Sequence, residues 1–144
     1  MKRLALLVGV VLLLAACGGG GGGGAGNSES QADQVKQVWT SFFSAKTPVS
    51  EKTAMLQDGA RFQSAITSLS SNPLAAGLSA KVSNVTLEGA DKAKVVYSIY
   101  LGSIAAFKNL VGYAYKQNGK WLVGYAGLCQ LIQQQGTSPA ACAP

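Results

Sequence analysis

From Gln31 onward the sequence predicts an α+β domain: three N-terminal helices packed on a curved four-stranded antiparallel sheet. Three observations carry that expectation. Apolar residues recur at three- and four-residue spacing as far as Leu69. Beyond Leu78 the period falls to two. The dipeptide Asn118-Gly119, which suits a two-residue turn with positive φ at both positions, separates the last two alternating runs.

Val35, Val38, Trp39, Phe42 and Phe43 make the first stripe, on a helix expected from Gln31 to Ser44, with Ser30 and Asp33 or Ser28 and Gln31 placed to cap it. Thr47-Pro48 reads as cap and first residue of a second, short helix that passes Met55 and Leu56 and stops at Gly59. Phe62, Ala65, Ile66 and Leu69 form the third stripe, ending in Ser70-Ser71-Asn72-Pro73. The strands are expected at Lys81 to Glu88, Ala93 to Leu101, Leu110 to Gln117 and Lys120 to Leu128, with a turn at Gly89-Ala90-Asp91-Lys92. In the second strand Val95, Tyr97, Ile99 and Leu101 share one face, and Lys94, Val96, Ser98 and Tyr100 the other. Apolar groups on both faces imply some cover on each.

Residues 1–16 read as an export signal. Met1-Lys2-Arg3 is a positive start and Leu4 to Leu14 an apolar stretch, too short to span a hydrocarbon core of ~30 Å. Leu14-Ala15-Ala16-Cys17 resembles the lipobox of bacterial lipoproteins, which implies a diacylglycerol thioether on Cys17 and cleavage before it. An ordinary secretory signal ending at Ala16 is the plainer alternative. Two acyl chains give stable anchoring where one is marginal, so the partner implied is a membrane, reached through the N-terminal lipid, and the location the outer face of a bacterial cell membrane within the envelope. Residues 17–30, with seven consecutive glycines from Gly18 to Gly24, read as the lipidated Cys and a flexible tether of r.m.s. span ~20 to 25 Å. Residues 31–144 are then one domain.

The chain has 144 residues, 12 Lys and Arg against 6 Asp and Glu, and no His. Without imidazole, Ser-His-Asp triads and His-ligated zinc are excluded. Without Lys2 and Arg3 the balance is ten basic to six acidic side chains, scattered and without a basic block, so no nucleic-acid partner is expected. The glycine run lacks the following Gly-Lys-Ser/Thr of a phosphate loop. No cofactor, metal site or catalytic residue is expected. Once Cys17 is modified, Cys129 and Cys142 remain for each other in an oxidising compartment, and a structural disulfide is preferred over a redox pair because the spacing is far from Cys-x-x-Cys.

Several short stretches carry a resemblance: Lys52-Thr-Ala-Met-Leu56-Gln-Asp58-Gly59, Val82-Ser-Asn84-Val85, Gly89-Ala-Asp-Lys-Ala93-Lys-Val95 and Gly119-Lys-Trp121-Leu-Val123, followed by Leu128-Cys129-Gln-Leu131. In this order and spacing, across Gln34 to Gln134, the chain resembles the mycobacterial low-molecular-weight antigen family and its lipoprotein relatives. The resemblance implies an exported cell-envelope antigen with a cystatin-like or NTF2-like cone and no activity to carry over. The lipobox and glycine tether depart from a freely secreted antigen.

An enzyme of isomerase or dehydratase type in such a cone needs a positioned carboxylate with a Tyr donor. Tyr97, Tyr100, Tyr113, Tyr115 and Tyr125 supply donors. The acids do not converge: Glu88 and Asp91 adjoin a turn, while Glu29, Asp33, Glu51 and Asp58 sit near the tether and helix starts. The expectation is a non-catalytic interaction or apolar-ligand-binding module, its partner an envelope protein or apolar ligand. Trp39, Phe42, Phe43, Phe62 and Trp121 either fill the cone or line a pocket at its mouth, and filling is the plainer reading.

Overall fold

Val35, Trp39 and Phe42 share one side of the first helix, α1 (Gly24–Phe42), and with Phe43 just beyond its end they are buried. The computed structural model describes residues 24–143. The signal stretch, the lipobox and Cys17 lie outside the described residues. Because α1 begins at Gly24, residues 24–30, read in the sequence as tether, are helical, and Ser28 and Ser30 do not stand at the helix start. Apolar periodicity marks only the packed part of a helix, and the first turns of α1 carry no apolar stripe to mark them.

Pro48 precedes α2 (Val49–Met55), so the helix starts one residue later than Thr47-Pro48 suggests. It also stops at Met55 rather than running to Gly59. Leu56 turns extended, bridges Val123 in parallel, and the Gln57 N–H donates to the Val123 carbonyl at 2.8 Å. A 3-10 turn (Gly59–Phe62) leads into α3 (Gln63–Ser70), and a second 3-10 turn (Pro73–Gly77) follows, its start capped by the Asn72 side chain accepting from the Leu74 N–H at 2.9 Å.

The sheet is an antiparallel meander in the order β1 (Leu78–Leu87), β2 (Lys92–Leu101), β3 (Ile104–Gln117) and β4 (Lys120–Val123). Asn118 and Gly119 both take positive φ, 51° and 76°, as the two-residue turn requires. Three boundaries correct the sequence reading, the first being that β1 starts at Leu78, paired with Leu101, rather than at Lys81. β3 starts at Ile104, not Leu110, because Gly102-Ser103 closes a second tight hairpin with Gly102 at φ 62°. The predicted last strand ends at Val123 instead of Leu128. The Gly124 N–H makes a final bond to the Tyr113 carbonyl at 2.7 Å, and the chain enters α4 (Tyr125–Gln134). Leu128, Leu131 and Ile132, spaced three and four apart, are buried from that helix, so the described residues hold four α-helices rather than three.

Register shifts at Val82/Asn84 in β1–β2 and on either side of Ile99 in β2–β3 bend the strands. The curl lets α1 touch both edge strands, β1 and β4. Ala93, Val95, Tyr97 and Ile99 point into the concave side and are buried. Lys94, Val96, Ser98 and Tyr100 alternate with them and are half-buried. Their cover includes lysine stems: Lys81 Nζ lies 4.7 Å from the Tyr100 ring centre and Lys92 Nζ 4.4 Å from that of Tyr113. The chain end folds back to α4 through a Cys129–Cys142 disulfide with Cα atoms 5.6 Å apart, and Arg61 Nη2 donates to the Ala143 carbonyl at 3.0 Å.

Candidate functional site

The aromatic residues fill the cone. Tyr97 meets Trp39 edge-on at 5.0 Å and stacks on Phe43 at 5.5 Å, and Phe42 meets Phe43 edge-on at 5.0 Å. Gly112 of β3 passes so close to Trp39 that a Cβ there would lie 2.6 Å from the indole ring. Three polar atoms are sealed in this interior with no partner among the described residues: Trp39 Nε1, Tyr97 Oη and Trp121 Nε1. Burial pushes the Tyr97 hydroxyl up to about 12. A phenol so held stays protonated and lacks a base.

None of the acids stands near it. Asp33, Glu51, Asp58, Glu88 and Asp91 are all exposed, and Glu88 pairs with Lys92 at 3.3 Å beside the first strand turn. Tyr113, Tyr115 and Tyr125 come together with Gln57 and Gln130 around an open depression of about 460 Å³. It holds no carboxylate, so the described residues do not make the acid and Tyr convergence that proton transfer in such a cone requires. No group of three or more His, Cys, Asp or Glu is close enough to hold a metal among the described residues.

The apolar opening lies elsewhere. A groove of about 370 Å³ runs beside the Pro73–Gly77 turn, where Leu74, Leu78, Ile99, Leu101, Phe107 and Leu131 form its walls and Asn72 and Gln135 are its polar members. Leu74, 69% exposed, stands at the lip of this groove. On the other side of the same turn, Lys52, Ser70, Ser71 and Asn72 surround a depression of about 330 Å³. Between the two sits a void of about 20 Å³, room for roughly one water, lined by Lys52 and Ser70 and, shared with the groove, by Leu69, Ala75 and Leu78.

Lys52 is the residue that sequence reasoning missed. It is only 7% exposed and makes no side-chain hydrogen bond or ion pair among the described residues. Desolvation lowers its pKa from 10.5. Its Nζ is not among the sealed polar atoms, so the head keeps contact with the depression while the stem is covered. A signal was present: Lys52 stands three residues after Val49 and four before Leu56, on the apolar stripe of α2.

A family model described as "Low molecular weight antigen MTB12, C-terminal domain" matches residues 29–139. The chain belongs to this family. The match covers every helix and strand from the packed part of α1 to α4, so the MTB12-family domain and the observed α+β unit are the same stretch of chain. No curated protein and no solved structure is significantly similar to the chain. Among the described residues no helix is long and apolar enough to cross a membrane.

Proposed function

We propose that this MTB12-family protein is a non-catalytic envelope lipoprotein that holds an apolar ligand in the groove beside the Pro73–Gly77 turn, and that the diacylglycerol on Cys17 keeps it at the outer face of the cell membrane. The observation that carries the reading is the groove itself. It is within the ~300 to 1,000 Å³ range of small-molecule sites, open, walled by aliphatic side chains and Phe107, and free of acids. The Leu14-Ala15-Ala16-Cys17 tetrapeptide supports the anchor, and membership of an antigen family suits a surface location.

Binding in such a site draws on the apolar area withdrawn from water, at about 25 cal/mol per Å², and needs no proton transfer. The tyrosine-lined depression supplies donors without a base, so no specific observation favours the isomerase or dehydratase alternative. Two measurements test the proposal. Cys17→Ala removes the protein from the detergent phase of a detergent partition, and unchanged partitioning refutes the lipid anchor. Native mass spectrometry of protein released from its own membrane finds a bound lipid-like species in the wild type and less of it in Leu131→Asn. The same unliganded mass in both refutes the groove.

A further inference from the structure

We propose that the ligand is a long-chain carboxylate, a free fatty acid whose head group pairs with the Lys52 ammonium while its alkyl chain lies in the Leu74–Phe107–Leu131 groove. This rests on the groove reading above and adds the identity of the head group.

Lys52 carries a charge that has no partner among the described residues. The covered stem holds the Lys52 ammonium at the opening of the depression, partly desolvated, where a carboxylate makes a stronger, charge-assisted hydrogen bond than water does. The described acids are exposed and none lines the depressions around Lys52, so the described residues do not supply that partner. A ligand can. The Ser70 hydroxyl and the Asn72 amide NH2 stand in the same depression and offer donors for the remaining carboxylate lone pairs, whereas the Ser71 hydroxyl already donates to the Thr67 carbonyl at 2.9 Å.

The adjacency of the three spaces points to the rest of the ligand. The Lys52 depression and the apolar groove share Asn72 and Ala75, and the small void between them shares Lys52 with one and Leu78 with the other. A molecule filling both has one anionic end and one long apolar end. A single cation does not suit a nucleotide or an acidic peptide, which bring several charges and polar edges, and the aliphatic walls of the groove leave those edges unpaired. The Pro73–Gly77 turn divides head from tail. It is tied down by the Gly102 N–H donating to the Gly77 carbonyl at 2.8 Å at one end and by the Asn72 cap at the other, with Leu74 and Ala75 between. Admission of the chain through the 20 Å³ neck therefore requires that turn to lift between its two ties.

The test uses the purified, oxidised full chain and three probes with the same twelve-carbon tail: dodecanoate, dodecanol and dodecyltrimethylammonium, each titrated calorimetrically below its micelle concentration. The expected order is dodecanoate at least about tenfold tighter than dodecanol, with the cation weakest. In Lys52→Met the preference for dodecanoate over dodecanol disappears while dodecanol affinity is kept, and Lys52→Arg retains the preference. Equal affinity of the wild type for dodecanoate and dodecanol overturns the head-group assignment and leaves the groove standing. A carboxylate preference that survives Lys52→Met overturns Lys52 as its holder. Failure of all three probes to bind overturns the groove along with the ligand. The head-group series on the unmutated protein decides the matter even if the Lys52 variants fold poorly.

Discussion

The two ends of the cone treat polar groups differently. At the sealed centre, Trp39, Phe43 and Tyr97 are packed so closely that only glycine fits at position 112, and Trp39 Nε1 and Tyr97 Oη are buried with no partner among the described residues. At the corner around the Pro73–Gly77 turn, space is left open, Leu74 faces water and Lys52 has no partner among the described residues, with room beside it for an anion. An unpaired group in a filled core is a penalty accepted for packing, whereas an unpaired group bordering a void marks a place where something else completes the structure.

The comparison predicts where stability resides. Trp39→Ala leaves a cavity in the sealed centre and lowers the unfolding free energy by about 3 to 5 kcal/mol, read from the urea midpoint; a loss as small as that of a surface change refutes the division. Cys142→Ala opens the loop back to Cys129 and costs about 3 kcal/mol by chain entropy. Because the bridge fastens the tail to α4, which carries the groove residue Leu131 and ends just before Gln135, its loss weakens groove binding and leaves the near-ultraviolet signal of the Trp39–Tyr97 cluster unchanged.

Alkaline pH separates the two unpaired groups, because they titrate with opposite consequences. The unfolded chain releases the tyrosine proton near 10, while folded Tyr97 keeps it to about 12. Its contribution is therefore complete below pH 10 and falls away by about 2 to 3 kcal/mol as the pH climbs to 12. Lys52 gives up its proton more readily when folded than when unfolded, so its burial penalty applies at neutral pH and is relieved as the pH rises towards 10.5. Tyr97→Phe abolishes the loss between pH 10 and 12, and Lys52→Met abolishes the gain below it while raising stability at pH 7. Thermal unfolding followed across pH 7 to 12 in the three proteins reads both, and parallel profiles contradict the assignment.

Periodicity made most of the scaffold legible, because burial writes itself into spacing: the Trp39 stripe, the alternation around Tyr97 and the turn at Asn118-Gly119 stand where the residues place them. It failed where two readings share one pattern. Tyr125, Gly127 and Cys129 alternate well enough for a strand, and only the spacing of Leu128, Leu131 and Ile132 shows the helix. The hairpin at Gly102-Ser103 lacks the Asn-Gly signal and joins strands that otherwise read as one strand and a loop. The candidate site was least legible. Its walls come from α1, α2, α3, the Pro73–Gly77 turn, three strands and α4, and no local pattern encodes their meeting. Lys52 alone left a trace, as a charge on an apolar stripe.

The smallest expected effect is the sharpest discriminator between the two regions. Leu74 is already 69% exposed, so Leu74→Ser removes little apolar area from the folded protein's interior and changes the unfolding free energy by less than about 0.5 kcal/mol. In the bound state the same side chain is covered by the alkyl chain, and each methylene equivalent left uncovered costs about 0.8 kcal/mol of binding. Dodecanol affinity, which does not involve Lys52, therefore drops several-fold in a protein whose urea curve overlays the wild type. If Leu74→Ser instead destabilises the fold as a core substitution does, the Pro73–Gly77 turn is a wall of the core and not the edge of a site. If both curves are unchanged, Leu74 is merely exposed and the groove has lost its outer lip.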